Sequence, residues 1–146
     1  MSRSNYPALN IVQTGPSEMS IYVNRDYAQP TAYLGRYSMR LDGFASVQAP
    51  YGGGELVTRP LRFKGARLSI NYSTSAAGDV RVEIQDADGT PLPSYGLDDC
   101  PEIIGDGIDR TIRWKSGDDV GKLADRPVRL RFVMRDADLF AFKFGE

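Results

Sequence analysis

The sequence contains no histidine and only one cysteine, Cys100. Without histidine there is no Ser-His or Cys-His pair to activate a nucleophile, and the commonest transition-metal ligand is missing. A single cysteine allows neither an internal disulfide nor a thiolate cluster for zinc, so we expect a buried, unreactive thiol. Any catalysis would have to use carboxylates, tyrosines or lysines.

An excess of one charge and long apolar runs are also missing. The 18 Lys and Arg residues balance 19 Asp and Glu residues, which leaves no positive field to hold a phosphate backbone. No apolar run approaches the roughly 18 residues of a membrane span, and Met1 to Ser4 lack the apolar stretch of a signal peptide. The sequence predicts a chain without targeting signal, nucleic-acid partner or membrane partner.

Alternation of apolar and polar residues at period two is what the sequence does contain. It is clearest from Ala66 to Ser73 and recurs over 80–85, 112–115, 128–135 and 139–144, with weaker strands at 37–41, 44–48 and 55–63. The chain is long enough to bury a core without disulfides. We predict an all-β, two-sheet antiparallel β-sandwich of jelly-roll type with about eight strands. The expected core is Leu68, Ile70, Val82, Ile84, Trp114, Leu130, Phe132, Phe140 and Phe142.

Residues 1–30 have a different pattern, with two short strands around a Thr-Gly-Pro-Ser turn at 14–17. Pro30 and Thr31 break the chain after them, so we place a domain boundary near residue 31 and the sandwich module in 31–146. Within that module, residues 91–109 form a long connection rich in Pro, Gly and Asp. Long loops on sandwiches are frequent sites of function.

Three segments occur in an order that resembles a known protein family. They are SEMSIYV at 17–23, RYSMRLDGFASV at 36–47 and GELVTRPL at 54–61. The arrangement is similar to the join between a five-bladed β-propeller and a C-terminal sandwich in bacterial proteins of the glycoside hydrolase family 32-like and 43-like type. Later segments at 78–84, 112–114 and 128–142 extend the similarity over residues 17–144.

The resemblance implies that residues 1–30 are the last propeller strands and that the catalytic carboxylates lie on blades outside this chain. It therefore implies a non-catalytic accessory domain that gives structural support, with carbohydrate contact that is weak or absent. The implied partner is the catalytic propeller domain of a secreted or periplasmic parent protein. Polysaccharide is the second implied partner.

Three tyrosines are candidates for stacking on a sugar ring, because they fall in Gly- and Pro-rich loops and not in strands. They are Tyr33, Tyr51 and Tyr95. Six outward arginines form either a basic stripe for uronate or sulfate groups or cross-strand pairs with acids such as Glu83. These are Arg67, Arg81, Arg113, Arg129, Arg131 and Arg135. The predicted carbohydrate-binding residues are Tyr33, Tyr51, Tyr95 and Arg113.

We predict no catalytic residue, no metal ligand and no cofactor. A structural calcium ion is the open alternative for the aspartates Asp86, Asp88, Asp98, Asp99, Asp106 and Asp109. Two further functions also stay open. One is a true carbohydrate-binding module that uses the loop tyrosines, and the other is a small stand-alone jelly-roll enzyme that acts on glycans through Glu18, Asp42 or Glu55.

Overall fold

A computed structural model describes residues 4–146 of the chain, and residues 1–3, on which the signal-peptide prediction partly depends, lie outside that range. The fold is all-β with antiparallel pairing in two sheets, which confirms the predicted class. No helix in the described range is long and apolar enough to cross a bilayer. The strands are β1 Tyr6–Pro7, β2 Val12–Gln13, β3 Glu18–Arg25, β4 Tyr33–Arg40, β5 Val47–Ala49, β6 Gly54–Val57, β7 Arg67–Asp86, β8 Asp106–Thr111 and β9 Val128–Gly145, with 3-10 turns at Leu97–Asp99 and Gly121–Leu123.

The chain divides into two compact units, the first ending at Phe44 and the second beginning at Ala45. In the first unit, β3 is central, β1 and β2 pair with one of its edges, and β4 pairs with the other. Strand β4 pairs with β3 along its whole length, from Tyr33 opposite Arg25 to Arg40 opposite Glu18. The division therefore lies beyond the boundary predicted near residue 31, because these pairs hold β4 in the N-terminal sheet.

The C-terminal unit is built on two long strands, β7 and β9, which pair from Arg67 opposite Gly145 to Asp86 opposite Val128. Both bend in the middle, where residues 75–78 of β7 face the single residue Asp136 of β9. Strand β8 adds to the first half of β7, whereas β5 and β6 follow one another along the free edge of β9. The curled sheet encloses one core, so its two halves act as the two layers of a sandwich.

The bend depends on Gly78, where the backbones of β7 and β9 approach most closely. A Cβ atom at this position would lie 2.4 Å from the carbonyl oxygen of Asp136, so a residue other than glycine forces the strands apart. Asp136 itself has a φ of 43°, in the left-handed region that aspartate tolerates better than most residues. Glycine on β7 and aspartate on β9 are therefore residue types that suit the backbone geometry of the bend.

The core contains seven of the nine residues predicted for it, and the prediction was wrong for Phe140 and Phe142. The register between β7 and β9 shifts between Asn71 and Tyr72. Asn71 pairs with Ala141 and Tyr72 with Leu139, so Phe140 is an extra, half-buried residue of β9 and Leu139 takes the core position at 4% exposure. Phe142 stays on the core side, opposite Ile70 and with its ring 5.6 Å from that of Phe132, but it is 36% exposed. A bulge that shifts the pairing by one residue changes which side chains face the core.

Trp114 is the largest core residue and is 2% exposed. Its indole Nε1 donates a hydrogen bond to the carbonyl oxygen of Val82 at 2.9 Å, which satisfies the one polar atom of the side chain. Trp114 follows strand β8, which begins at Asp106. The irregular connection is thus shorter than the predicted 91–109, because β8 occupies its end.

Trp114→Ala should lower the free energy of unfolding by about 3–5 kcal/mol, because it empties a large buried site and leaves the Val82 carbonyl without its donor. Tyr51→Ala removes an aromatic side chain that is 67% exposed and should change it by less than about 0.5 kcal/mol. Urea denaturation of both variants measures the difference. Equal midpoints for the two variants would place Trp114 outside the core.

Gly78→Ala should destabilise the C-terminal unit by about 1–3 kcal/mol, because the new methyl group meets backbone atoms that cannot rotate away. Gly52→Ala is the matched control, since a Cβ atom there meets nothing within 4 Å. The control should stay within about 0.5 kcal/mol of the native protein. Thermal unfolding followed by circular dichroism compares them, and a Gly78→Ala protein as stable as the control would contradict the close approach.

Candidate functional site

The structure separates the four predicted carbohydrate-binding residues. Tyr33 is the first residue of β4 in the N-terminal unit and is 53% exposed. Tyr51, Tyr95 and Arg113 all belong to the C-terminal unit, but each has different surroundings. Tyr51 lies in the turn between β5 and β6, Tyr95 packs against Trp114, and Arg113 lines a small cavity near Cys100.

Tyr95 is half-buried and packs against the core. Its ring meets Trp114 edge-on at a centroid distance of 5.3 Å. Its hydroxyl donates a hydrogen bond to the carbonyl oxygen of Asp119 at 2.9 Å. Burial raises the pKa of Tyr95, and the nearby Asp119 adds to this effect.

Arg113 borders a cavity of about 240 Å³ whose other lining residues include Asp99, Cys100 and Trp114. Its side chain is largely exposed and forms an ion pair with Asp118 at 3.4 Å. Cys100 is buried, as expected from the sequence, and burial raises the pKa of its thiol. A protonated thiol is a poor nucleophile, so Cys100 is not activated in this cavity.

The outward arginines of β7 and β9 are mostly paired with acids, as in the cross-strand alternative. The register sets Arg131 opposite Glu83 and Arg135 opposite Asp79. Arg131 Nη1 lies 3.4 Å from Glu83 Oε1, and Arg135 Nη2 lies 2.9 Å from Asp79 Oδ2. These pairs leave no continuous basic stripe along the two strands.

The outer face of β7 is also less exposed to solvent than the alternation of apolar and polar residues predicts. Glu83 is 4% exposed and Gln85 is 7% exposed, although both were expected to face solvent. The segment that follows β7 folds back over this face, since the backbone amide of Leu97 donates a hydrogen bond to Glu83 Oε2 at 3.3 Å. Within β7, the side-chain amide of Gln85 donates to Glu83 Oε1 at 2.7 Å. The neighbouring Arg131 compensates the buried charge of Glu83.

A cleft of about 400 Å³ opens on this outer face where the sheet bends. Its floor comes from β7, β9 and the start of β6, and its rim is the glycine loop that follows Tyr51. The lining residues are Gly52, Gly53, Gly54, Glu55, Asp79, Arg81, Glu102, Val133, Met134 and Arg135. Pockets of about 300–1,000 Å³ are the size that small ligands use.

One cross-strand row brings the polar groups of the cleft together. Arg81 pairs with Val133, which pairs in turn with Glu55 on β6. On the other side of β7, the bridge between Val80 and Ile103 sets Glu102 beside Arg81. Directly opposed residues of antiparallel strands face the same side, so this row lines the cleft.

Asp79 lies at the base of the cleft and is only 6% exposed. Oδ2 of Asp79 lies 2.9 Å from Nη2 of Arg135, and Oδ1 lies 3.9 Å from Nε of Arg81. Arg131 holds Glu55 at 2.8 Å beside it. Glu55 is a candidate from the sequence, whereas Asp79 and Glu102 are not, because the position that they share depends on strand pairing.

The aspartates considered for calcium are engaged elsewhere or scattered. Asp86 Oδ1 accepts the amide hydrogens of Asp88 and Thr90 at 3.0 and 2.9 Å, which fixes the turn after β7. Asp109 pairs with Lys143 at 2.8 Å. Across residues 4–146 no group of three acidic or cysteine side chains is placed to hold a metal ion.

Comparison with protein-family models, curated protein sequences and solved structures finds no match for this chain. The resemblance to glycoside hydrolase accessory modules therefore stays a prediction that depends on the sequence segments alone.

Arg135→Met should lower the free energy of unfolding by about 1–3 kcal/mol, because it leaves the buried Asp79 carboxylate without its closest cation. Arg113→Met removes an arginine from an exposed ion pair and should cost less than about 0.5 kcal/mol. Urea denaturation compares the two variants directly. Equal losses would show that Asp79 does not depend on Arg135.

Proposed function

We propose that this chain is a non-catalytic accessory β-sandwich module of a glycan-processing protein, docked on a partner domain through its N-terminal sheet. The observation that carries the proposal is an apolar face of that sheet on which the side chains from β4 are exposed. Among residues 4–44, only Met19 and Ser20 are buried. The large apolar cluster belongs to the C-terminal unit.

The apolar face follows from the pairing of β3 with β4. Met19 lies opposite Met39, Ile21 opposite Tyr37 and Val23 opposite Gly35. These side chains share one side of the sheet, and the pair of Tyr33 with Arg25 extends the same row, where the Arg25 guanidinium donates a hydrogen bond to the Tyr37 hydroxyl. Tyr33, Tyr37 and Met39 are 53%, 42% and 38% exposed. We call the side of the sheet formed by Met19, Ile21, Val23, Tyr33, Tyr37 and Met39 the apolar face.

The opposite side of the sheet carries a polar network at one end. Arg36 donates hydrogen bonds to Ser20 at 3.0 Å and to Glu18, and Thr14 contacts both Glu18 and Ser20 at 2.8 Å. These groups satisfy one another on the surface. The polar network thus makes one end of this side suited to water, whereas Leu34 farther along the same side is exposed.

An apolar sheet face is stable when another layer covers it, and contiguous exposed apolar patches mark interaction surfaces. The partner that the resemblance implies, a catalytic β-propeller domain, offers such a layer because its own blades are sheets. The C-terminal unit has its own core, so it can stay folded beside a partner domain without contributing catalytic groups.

Two of the three acids considered for catalysis, Glu18 and Glu55, are engaged in ways that favour a non-catalytic role. Glu55 contacts Arg131 at 2.8 Å. The Thr14 hydroxyl lowers the pKa of Glu18, with Arg36 acting in the same direction. Glycoside hydrolysis requires one carboxyl group that stays protonated long enough to donate its proton, and Glu18 does not suit that task.

Met39→Lys should reduce the binding of a hydrophobic dye such as ANS and the self-association of the isolated chain, because it charges the apolar face. Leu34→Lys is the matched control on the same strand, since Leu34 faces the opposite side and is more exposed, at 68%. Dye fluorescence and sedimentation velocity at several concentrations measure both effects. Exposure alone predicts the larger change for Leu34→Lys, whereas docking through the apolar face predicts it for Met39→Lys.

Two results would contradict the proposal. The first is a larger effect of Leu34→Lys, which would remove the special role of the apolar face. The second is release of reducing sugar from fructan or arabinan by the purified chain, lost in Glu55→Gln, which would make the chain an enzyme.

A further inference from the structure

The cleft at the bend of the C-terminal sheet has no part in the docking role, and its shape is set by glycine. Pro50 accepts a hydrogen bond from the Gly53 amide at 2.8 Å, which closes a turn through Tyr51 and Gly52. Gly53 has a φ of 86°, a conformation that favours glycine. A Cβ atom at Gly52 would meet nothing within 4 Å, so this side of the cleft is open space.

Most charged groups of the cleft are already satisfied by one another. Asp79 holds Arg135, and Glu55 is held by Arg131 from just outside the lining. Each pair uses a short contact of 2.9 or 2.8 Å, so neither needs a ligand to compensate its charge.

Arg81 and Glu102 are the two groups with unused capacity. The nearest charged contact of Arg81 is Asp79 at 3.9 Å, which is too long for a hydrogen bond. Arg81 Nε is buried and has no hydrogen-bond partner among the described residues, but the side chain as a whole is 35% exposed, so its terminal nitrogens are the donors that a ligand can use. Two other arginines, Arg25 and Arg129, share this feature, but Arg81 is the one that lines the cleft. Glu102 is exposed and forms no ion pair within residues 4–146.

Arg81 supplies hydrogen-bond donors on a positively charged group, and Glu102 supplies acceptors on a negatively charged one. With Arg131 included, three acids face three arginines, so the cleft has no excess charge to select an anion or a cation. A sugar hydroxyl both donates and accepts hydrogen bonds, and adjacent hydroxyls match a guanidinium beside a carboxylate. Tyr51, directly before Gly52, adds an exposed aromatic ring to the rim loop.

We propose that this cleft binds a neutral polysaccharide chain, with Arg81 donating to and Glu102 accepting from hydroxyl groups of one sugar unit. Asp79 is a positioning residue, because it holds Arg135 and lies next to Arg81 without needing to touch the ligand. The site goes beyond the docking role proposed above, and it uses none of the residues of the apolar face.

The test is affinity gel electrophoresis of the whole chain through inulin, arabinan and xylan, with polygalacturonate as the charged comparison. We expect at least one of the three neutral polysaccharides to retard the chain. Arg81→Met and Gly52→Phe should each weaken that retardation by about tenfold or more, the first by removing charged donors and the second by filling the cleft. Arg126→Met, at an exposed arginine, and Gly145→Phe are matched controls outside the cleft and should migrate as the native chain does.

Gly52→Phe keeps the test valid if Arg81→Met disturbs the fold, because a side chain at Gly52 meets open space. Three results would overturn the inference: no retardation by any neutral polysaccharide, retardation only by polygalacturonate, or retardation that survives both cleft variants. None of them bears on the dye-binding comparison of Met39→Lys with Leu34→Lys, so the docking role and the glycan site can fail separately.

Discussion

The close approach of two backbones at the bend of β7 and β9 determines most of the C-terminal unit. With only a hydrogen atom at Gly78, the carbonyl oxygen of Asp136 can lie where a side chain would otherwise stand. The amide of Asp136 then donates to the carbonyl oxygen of Pro50 at 3.1 Å, which carries the bend into the neighbouring edge. The two layers, the core between them and the cleft on the outer face all follow from this one crossing.

The sequence predicts what depends on local alternation and fails where distant pairing decides. Buried positions such as Leu68, Val82 and Phe132 follow from period two, because each lies in a stretch of strand without a register shift. Phe140 was misplaced because it is the extra residue of a bulge in β9, which only the pairing of β9 with β7 shows. The alternation places Glu83 on the surface, but Glu83 is buried because a segment from outside its own strand covers it.

The cleft shows the same limit. Its rim could be anticipated, since a run of three glycines after Tyr51 signals a loop, and Arg81 was recognised as an outward residue. Glu102 gave no signal of its own. It reaches the cleft through the bridge between Val80 and Ile103, a contact between residues far apart in sequence that no periodicity encodes.

The continuity of β7 has a further consequence for how the C-terminal unit comes apart. Its 20 residues run through both layers, and β9 does the same in the opposite direction. In a sandwich whose layers are joined only by loops, one layer can loosen while the other persists. Here each layer contains half of the same two strands, so loss of pairing in one half removes the anchor of the other. We expect this unit to open as one cooperative body, with little hydrogen exchange from partly unfolded states.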